Sequence, residues 1–177
     1  MDRRLLDDIV TRLDRLTGTG EADASLPAWQ ELWHLATGDP SAFGPRRPAS
    51  TAELAAAIDE ALGRPAHRLV AYGTLRPGEA NHRLLAGLGS WQPARVRGRL
   101  GAWEGYPVLV PAPADGPAID VMLLTSARLP AVMPGLDRFE GPAYRRSWVV
   151  AELGAPGGDG GAVIAQCYVD AAADTSL

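Results

Sequence analysis

The 177-residue chain contains no lysine; all 17 of its basic residues are arginine. It has one cysteine, Cys167, which excludes an internal disulfide framework and a cysteine-cluster metal site. No apolar run approaches the roughly 18 residues needed to cross a bilayer. The N-terminal Met-Asp-Arg-Arg leads into a stretch interrupted by acids, which is not the form of a secretory signal. There is no HExxH, no Walker loop and no GxSxG. The three histidines, His34, His67 and His82, are at least 15 residues apart, so no metal site is expected from them. Charge is short on the basic side: 21 acids against 17 arginines leave a net charge of −4. Residues 1–66 hold 11 acids and 7 arginines, whereas 67–177 hold 10 of each. Neither part carries the basic footprint of a nucleic-acid binder, and Arg46-Arg47 reads as solvated loop charge. Missing lysine with abundant Ala, Gly and Pro points to a GC-rich bacterial genome, and the expected location is cytoplasmic.

What is present fits one globular domain with an appendage: 46% hydrophobic and 21% charged residues over a length of about one domain. Leu5, Leu6, Ile9, Val10, Leu13 and Leu16 recur at helical spacing, stopped by Gly18 and Gly20. A turn-rich stretch over residues 17–25 follows. Pro27 then starts a second helix with Trp29, Leu32, Trp33 and Ala36 on one face, up to Gly38. Residues 38–50 read as a loop. Ser50-Thr51-Ala52-Glu53 is a capping box that opens a third helix through Leu62. From His67 onward strands dominate. Strands are predicted over 68–72, twice within 93–111, and over 118–124, 147–153 and 162–169. Helical spacing is predicted over 81–88, and a helix capped by Ser126 to about Phe139, bent or shortened by Pro134. The glycine-rich residues 154–161 precede no helix and are a hairpin loop, not a phosphate cradle. The chain therefore divides into a helical extension, 1–66, a strand-rich domain, 67–170, and a tail, 171–177.

Two segments carry chemistry. In Tyr72-Gly73-Thr74-Leu75-Arg76-Pro77-Gly78 a strand runs into a glycine and a tight turn, which can leave successive N–H groups converging on an anion. In Leu136-Asp137-Arg138-Phe139-Glu140-Gly141-Pro142-Ala143-Tyr144-Arg145-Arg146 a carboxylate ends a helix. The negative end of the helix dipole and partial burial both raise the pKa of such a group and make it a better base near neutrality. Taken singly, each segment also fits an ordinary turn and an exposed helical glutamate.

The ordered set YGTLRPG, Asn81-His82, GYP and LDxFEGPxYRR resembles the γ-glutamylcyclotransferase-like family, on its γ-glutamylamine and avirulence-induced-gene-like branch, over roughly residues 68–170. The resemblance implies an α+β fold: a small mixed β-barrel of about six strands with short helices. It implies that Tyr72, Gly73, Thr74 and Leu75 hold a γ-glutamyl or 5-oxoproline group. Glu140 is then the general acid/base, and Tyr144 and Arg146 line or brace the pocket. The implied reaction converts a γ-glutamyl amide to 5-oxoproline and a free amine, without metal or cofactor. The sequence departs from the family at Gly101, often aromatic there, at residues 118–124, which lack a Gly-Glu, and at Pro134. These departures bear on the leaving group. Trp103, Tyr106, Tyr144 and Trp148 suit either its recognition or the core. The rival expectation is a non-catalytic ligand-binding or interaction module on the same fold. The amphipathic helices of 1–66 lie outside the resemblance. They either cover an open barrel face, the reading preferred, or dock a partner or a second copy.

Overall fold

The computed structural model describes residues 2–18, 25–39, 48, 50–154 and 160–172. Helix α1, Arg3–Thr17, buries Leu6, Ile9 and Leu13 along one face. In α2, Leu26–Thr37, Pro27 occupies the first turn, where its missing N–H costs nothing. That helix ends at Gly38, whose left-handed φ of 68° lets its N–H reach the His34 carbonyl at 2.9 Å. Helix α3, Thr51–Ala61, starts under Ser50, whose Oγ accepts from the Glu53 N–H at 3.2 Å.

Six strands follow: β1 Arg68–Ala71, β2 Ser90–Trp103, β3 Tyr106–Pro111, β4 Ala118–Thr125, β5 Tyr144–Leu153 and β6 Ala162–Asp170. Five of them close a barrel in the order β2-β4-β1-β6-β5, sealed by a β2–β5 seam of two residue pairs, Ala94 with Leu153 and Arg95 with Glu152. The β1–β6 pair is parallel and the others are antiparallel. The barrel is thus the small mixed α+β type, with five strands in the closure. The sixth strand, β3, pairs with β2 outside the closure.

Strand alternation sorts the apolar residues into three clusters. Val70, Val96, Leu123, Val149, Ala165 and Cys167 fill the barrel. On the opposite pleats, Leu69, Ala71 and Tyr168 pack against Leu129, Met133 and Leu136 of helix α4, Leu129–Glu140. On a third side, Val150 and Ile164 meet α1, α2 and α3 through Ile9, Leu32, Trp33 and Ile58. The apolar faces of the N-terminal helices therefore lie on the outer wall of β5 and β6. Polar contacts fasten α1 there: Asp14 accepts the Trp148 N–H at 2.8 Å and the Ser147 hydroxyl. Arg3 meets Glu152 at 2.6 Å, and Glu152 also holds Arg97 of β2 at 2.9 Å, directly over the seam.

Several expectations change in detail. Residues 81–88 form consecutive turns with one 3₁₀ turn, His82–Leu84, because the segment folds back on the residue 72–75 turn instead of extending. The two strands expected within 93–111 are β2 and β3, with β2 starting three residues early, at Ser90, and Pro93 inside it; β5 also starts three residues early, at Tyr144. Ser126 Oγ accepts the Arg128 N–H at 3.1 Å and donates to the Leu88 carbonyl at 2.7 Å, so it anchors a turn while the helix itself begins at Leu129. Pro134 stays within α4, in its exposed second turn, where it forfeits only one helical hydrogen bond. Most of the turn over 17–25, the loop over 38–50 with Arg46-Arg47, the hairpin loop over 154–161 and the tail lie outside the described residues. Among the described residues no helix is long and apolar enough to cross a membrane.

Candidate functional site

Where β1 ends at Ala71 the chain turns sharply, and this turn forms one wall of a cavity. It is an open cleft, with about 380 Å³ of empty space when the solvent at its mouth is included. Residues 70–75 supply that wall, Tyr106 and Pro107 of β3 a second, and Glu140, Tyr144 and Tyr168 the rest. The turn is built locally. The Arg76 N–H donates to the Gly73 carbonyl at 3.2 Å. Asn81 then clamps Thr74 twice, its N–H on the carbonyl and its Nδ2 on Oγ1, both at 3.0 Å. These bonds use the carbonyls and side chains of the turn. The N–H groups of Gly73, Thr74 and Leu75 donate to no acceptor among the described residues. Three unpaired donors in sequence are the material of an anion cradle. Gly73 has a steric role: a Cβ there would stand 3.2 Å from the Pro107 ring, so a side chain would press on the facing wall.

Glu140 closes α4, and Gly141 follows at φ 69°, a conformation that suits glycine, with its N–H returned to the Asp137 carbonyl at 3.2 Å. No hydrogen bond or ion pair reaches the Glu140 carboxylate from the described residues. Arg138 and Arg145, its nearest cationic neighbours in sequence, do not pair with it. Burial pushes its pKa from the ordinary 4.5 up to about 7. Burial is the cause of this rise.

Three phenols face this carboxylate, and its charge helps burial to raise the pKa of each. Each also has a structural task. The Tyr72 hydroxyl accepts the Leu109 N–H at 3.1 Å, and the Tyr144 hydroxyl donates to the Pro107 carbonyl at 3.0 Å. Together they pin β3 across the cavity from the turn. The Tyr168 hydroxyl donates to Asp137 Oδ1 at 2.8 Å, one helical turn before Glu140. Cys167 is fully buried beneath, its thiol pushed up by burial and by Glu140.

Of the residues singled out in the sequence, Tyr72, Gly73, Thr74, Leu75, Glu140 and Tyr144 meet around this one cavity. Arg146 does not line it. The β5–β6 register sets Arg146 opposite Tyr168, and its guanidinium reaches Asp137 at 3.5 Å and Gln166 at 3.1 Å. Arg146 thus braces the last turn of α4 from outside. Tyr168 lines the cavity without being marked by any motif, and Pro107 is marked only as part of Gly-Tyr-Pro. A single phenol in the apolar run of β6 was the one available signal for Tyr168. Among the described residues no three His, Cys, Asp or Glu side chains gather as metal ligands.

Comparison with known proteins gives three kinds of finding. No curated protein matches the chain. Solved structures do. YkqA from Bacillus subtilis shares 31% identity over 59% of this chain and 35% of its own, with a TM-score of 0.47. This chain therefore spans about a third of YkqA. An AIG2-like protein from Mus musculus shares 23% identity, covering 59% of this chain and 77% of its own, with a TM-score of 0.41. A protein from Arabidopsis thaliana shares 17%, covering 61% and 70%, with a TM-score of 0.47. The family model described as "Gamma-glutamyl cyclotransferase, AIG2-like" matches residues 69–176, the span that holds both the barrel and the cavity. With more than half of its length matched, the chain belongs to the AIG2-like gamma-glutamyl cyclotransferase family.

Proposed function

We propose that the protein converts a γ-glutamyl amide into 5-oxoproline and a free amine, with Glu140 as general base and then general acid. One observation carries the reading. A partly buried carboxylate of pKa about 7, free of partners among the described residues, shares a cavity with the unpaired N–H groups of Gly73, Thr74 and Leu75. A carboxylate held structurally would be paired; one poised near neutrality can both take and return a proton. The same observation favours catalysis over the non-catalytic binding module, because a carboxylate that titrates near neutrality is suited to move a proton, whereas one kept only to pair with a ligand cation works best fully ionised.

The chemistry follows from the substrate. Its α-ammonium group loses a proton to Glu140 and the freed amine attacks the γ-carbonyl carbon. A C–N bond forms, closing a five-membered ring, and the carbonyl oxygen takes up negative charge. The amide C–N bond then breaks as Glu140 returns its proton to the departing nitrogen; the ring nitrogen gives up its second proton through the same carboxylate, and the amine leaves as an ammonium ion. Nucleophile and electrophile belong to one molecule, so much of the acceleration comes from holding the folded rotamer. The turn amides supply donors for the α-carboxylate and for the developing oxyanion. Pinning of β3 by Tyr72 and Tyr144 keeps the opposite wall fixed during the reaction.

The test is 5-oxoproline release, read by mass spectrometry, from a panel of γ-glutamyl amines, γ-glutamyl amino acids and glutathione. The wild-type chain yields product, and Glu140→Gln loses about 10²–10⁴ in rate. A folded protein inactive on the whole panel, or a fully active Glu140→Gln variant, defeats the proposal.

A further inference from the structure

The tip of the β2–β3 hairpin exposes apolar surface beside the cavity, which Tyr106 lines and Trp103 adjoins through its pairing with Tyr106. Trp103 is 47% exposed and Tyr106 55%. They stand directly opposite each other in the β ladder, so their side chains leave on the same face about 5 Å apart at Cβ. Tyr106 also lines the cavity, and its phenol lies near enough to that of Tyr144 to raise its pKa. The platform is rigid. Glu104 and Gly105 join the strands in a two-residue turn with φ of 48° and 84°, and the Tyr72 and Tyr144 hydroxyls hold the strand behind it. Among the described lining residues there is no arginine or histidine, and the one charge is Glu140.

A γ-glutamyl group seated against the turn leaves its amine portion to extend through the mouth. We infer that Trp103 and Tyr106 form the leaving-group platform of this site and select γ-glutamyl conjugates whose amine carries a flat aromatic body. The inference rests on the proposed cyclisation for its orientation of substrate. Two half-exposed aromatic faces gain by covering apolar surface with a ring and by offset or edge-to-face contact. A carboxylate on the departing amine would meet no cation on the lining, and Glu104 at the hairpin tip and Glu140 within would both repel it.

Binding and turnover are measured separately to test this. The full-length Glu140→Gln protein is titrated calorimetrically with γ-glutamyl benzylamide and γ-glutamyl methylamide. The benzylamide binds about tenfold tighter, the gain expected of contact with two aromatic rings. Trp103→Thr or Tyr106→Thr in the same background, each keeping a strand-forming residue, reduces that preference to about threefold or less. Leu100→Ser, an exposed leucine on the opposite face of the hairpin, leaves the preference intact. Equal affinity for the two amides, or a preference that survives both threonine variants, overturns the platform. Wild-type release of 5-oxoproline is followed alongside. Turnover with equal binding sinks the platform and leaves the cyclisation standing. An aromatic preference without turnover does the reverse, and neither binding nor turnover overturns both.

Discussion

Replacing Glu140 by glutamine removes a charge that the fold holds at a cost, so the variant is expected to be more stable than the wild type above neutrality. The folded pKa of about 7 lies above the ordinary 4.5. Below pH 4.5 the folded and unfolded chains both keep the proton and the residue costs nothing. Between these values the folded chain keeps a proton that the unfolded chain releases, so stability falls as pH rises. Above pH 7 the whole loss is present. Each factor of ten in the dissociation constant is worth about 1.4 kcal/mol, which sets an upper bound of about 3.5 kcal/mol. Water reaches the carboxylate through the open mouth and screens it, which reduces the figure to about 1–2 kcal/mol. For a chain of this length that is a rise in Tm of about 2–8 °C. Calorimetric scans of both proteins at pH 4, 6 and 8 check it: equal Tm at pH 4 and a widening gap toward pH 8 are expected. A gap independent of pH, or a variant less stable at pH 8, refutes the view that Glu140 is a desolvated, unpaired acid.

The rising limb of kcat/KM against pH has its midpoint near 7, because only ionised Glu140 accepts the substrate proton; a midpoint near 4.5 would mean that the carboxylate is solvated. Asp14→Ala leaves the Trp148 N–H and the Ser147 hydroxyl without their acceptor and costs about 1–3 kcal/mol in urea unfolding. No loss would show that α1 is not fastened to β5 as described. Gly73→Ala sets a methyl group 3.2 Å from the Pro107 ring, so KM rises by about tenfold while Tm moves by only a few degrees. An unchanged KM excludes Gly73 from the substrate wall. Glu104→Asn, better suited to φ 48°, raises stability by about 0.5–1 kcal/mol in thermal unfolding; destabilisation would contradict the two-residue turn.

Much of this protein is written in short-range sterics and side-chain spacing. The Leu6, Ile9 and Leu13 stripe, Pro27 at a helix start and Ser50 over Glu53 need no knowledge of the rest of the chain. The same holds for the strand-breaking Gly73 and the ordered motifs that marked residues 68–170 for their family. Elements whose boundaries depend on a distant partner were less legible. Residues 81–88 keep helical spacing, yet Asn81 is drawn back to Thr74. Strand β5 starts at Tyr144 because Asp170 lies opposite to pair with it. The site divides along the same line. Identity and order of Glu140, Gly73 and Tyr144 are properties of the sequence. Closure of the barrel brought Tyr72, Tyr144 and Tyr168, far apart along the chain, around one carboxylate, and the pairing of β3 with β2 added Tyr106. Register alone carried Arg146 to Asp137 and away from the lining. A carboxylate acquires a pKa of about 7 through removal of water by walls from several strands and a helix, and no local stretch of sequence encodes that removal.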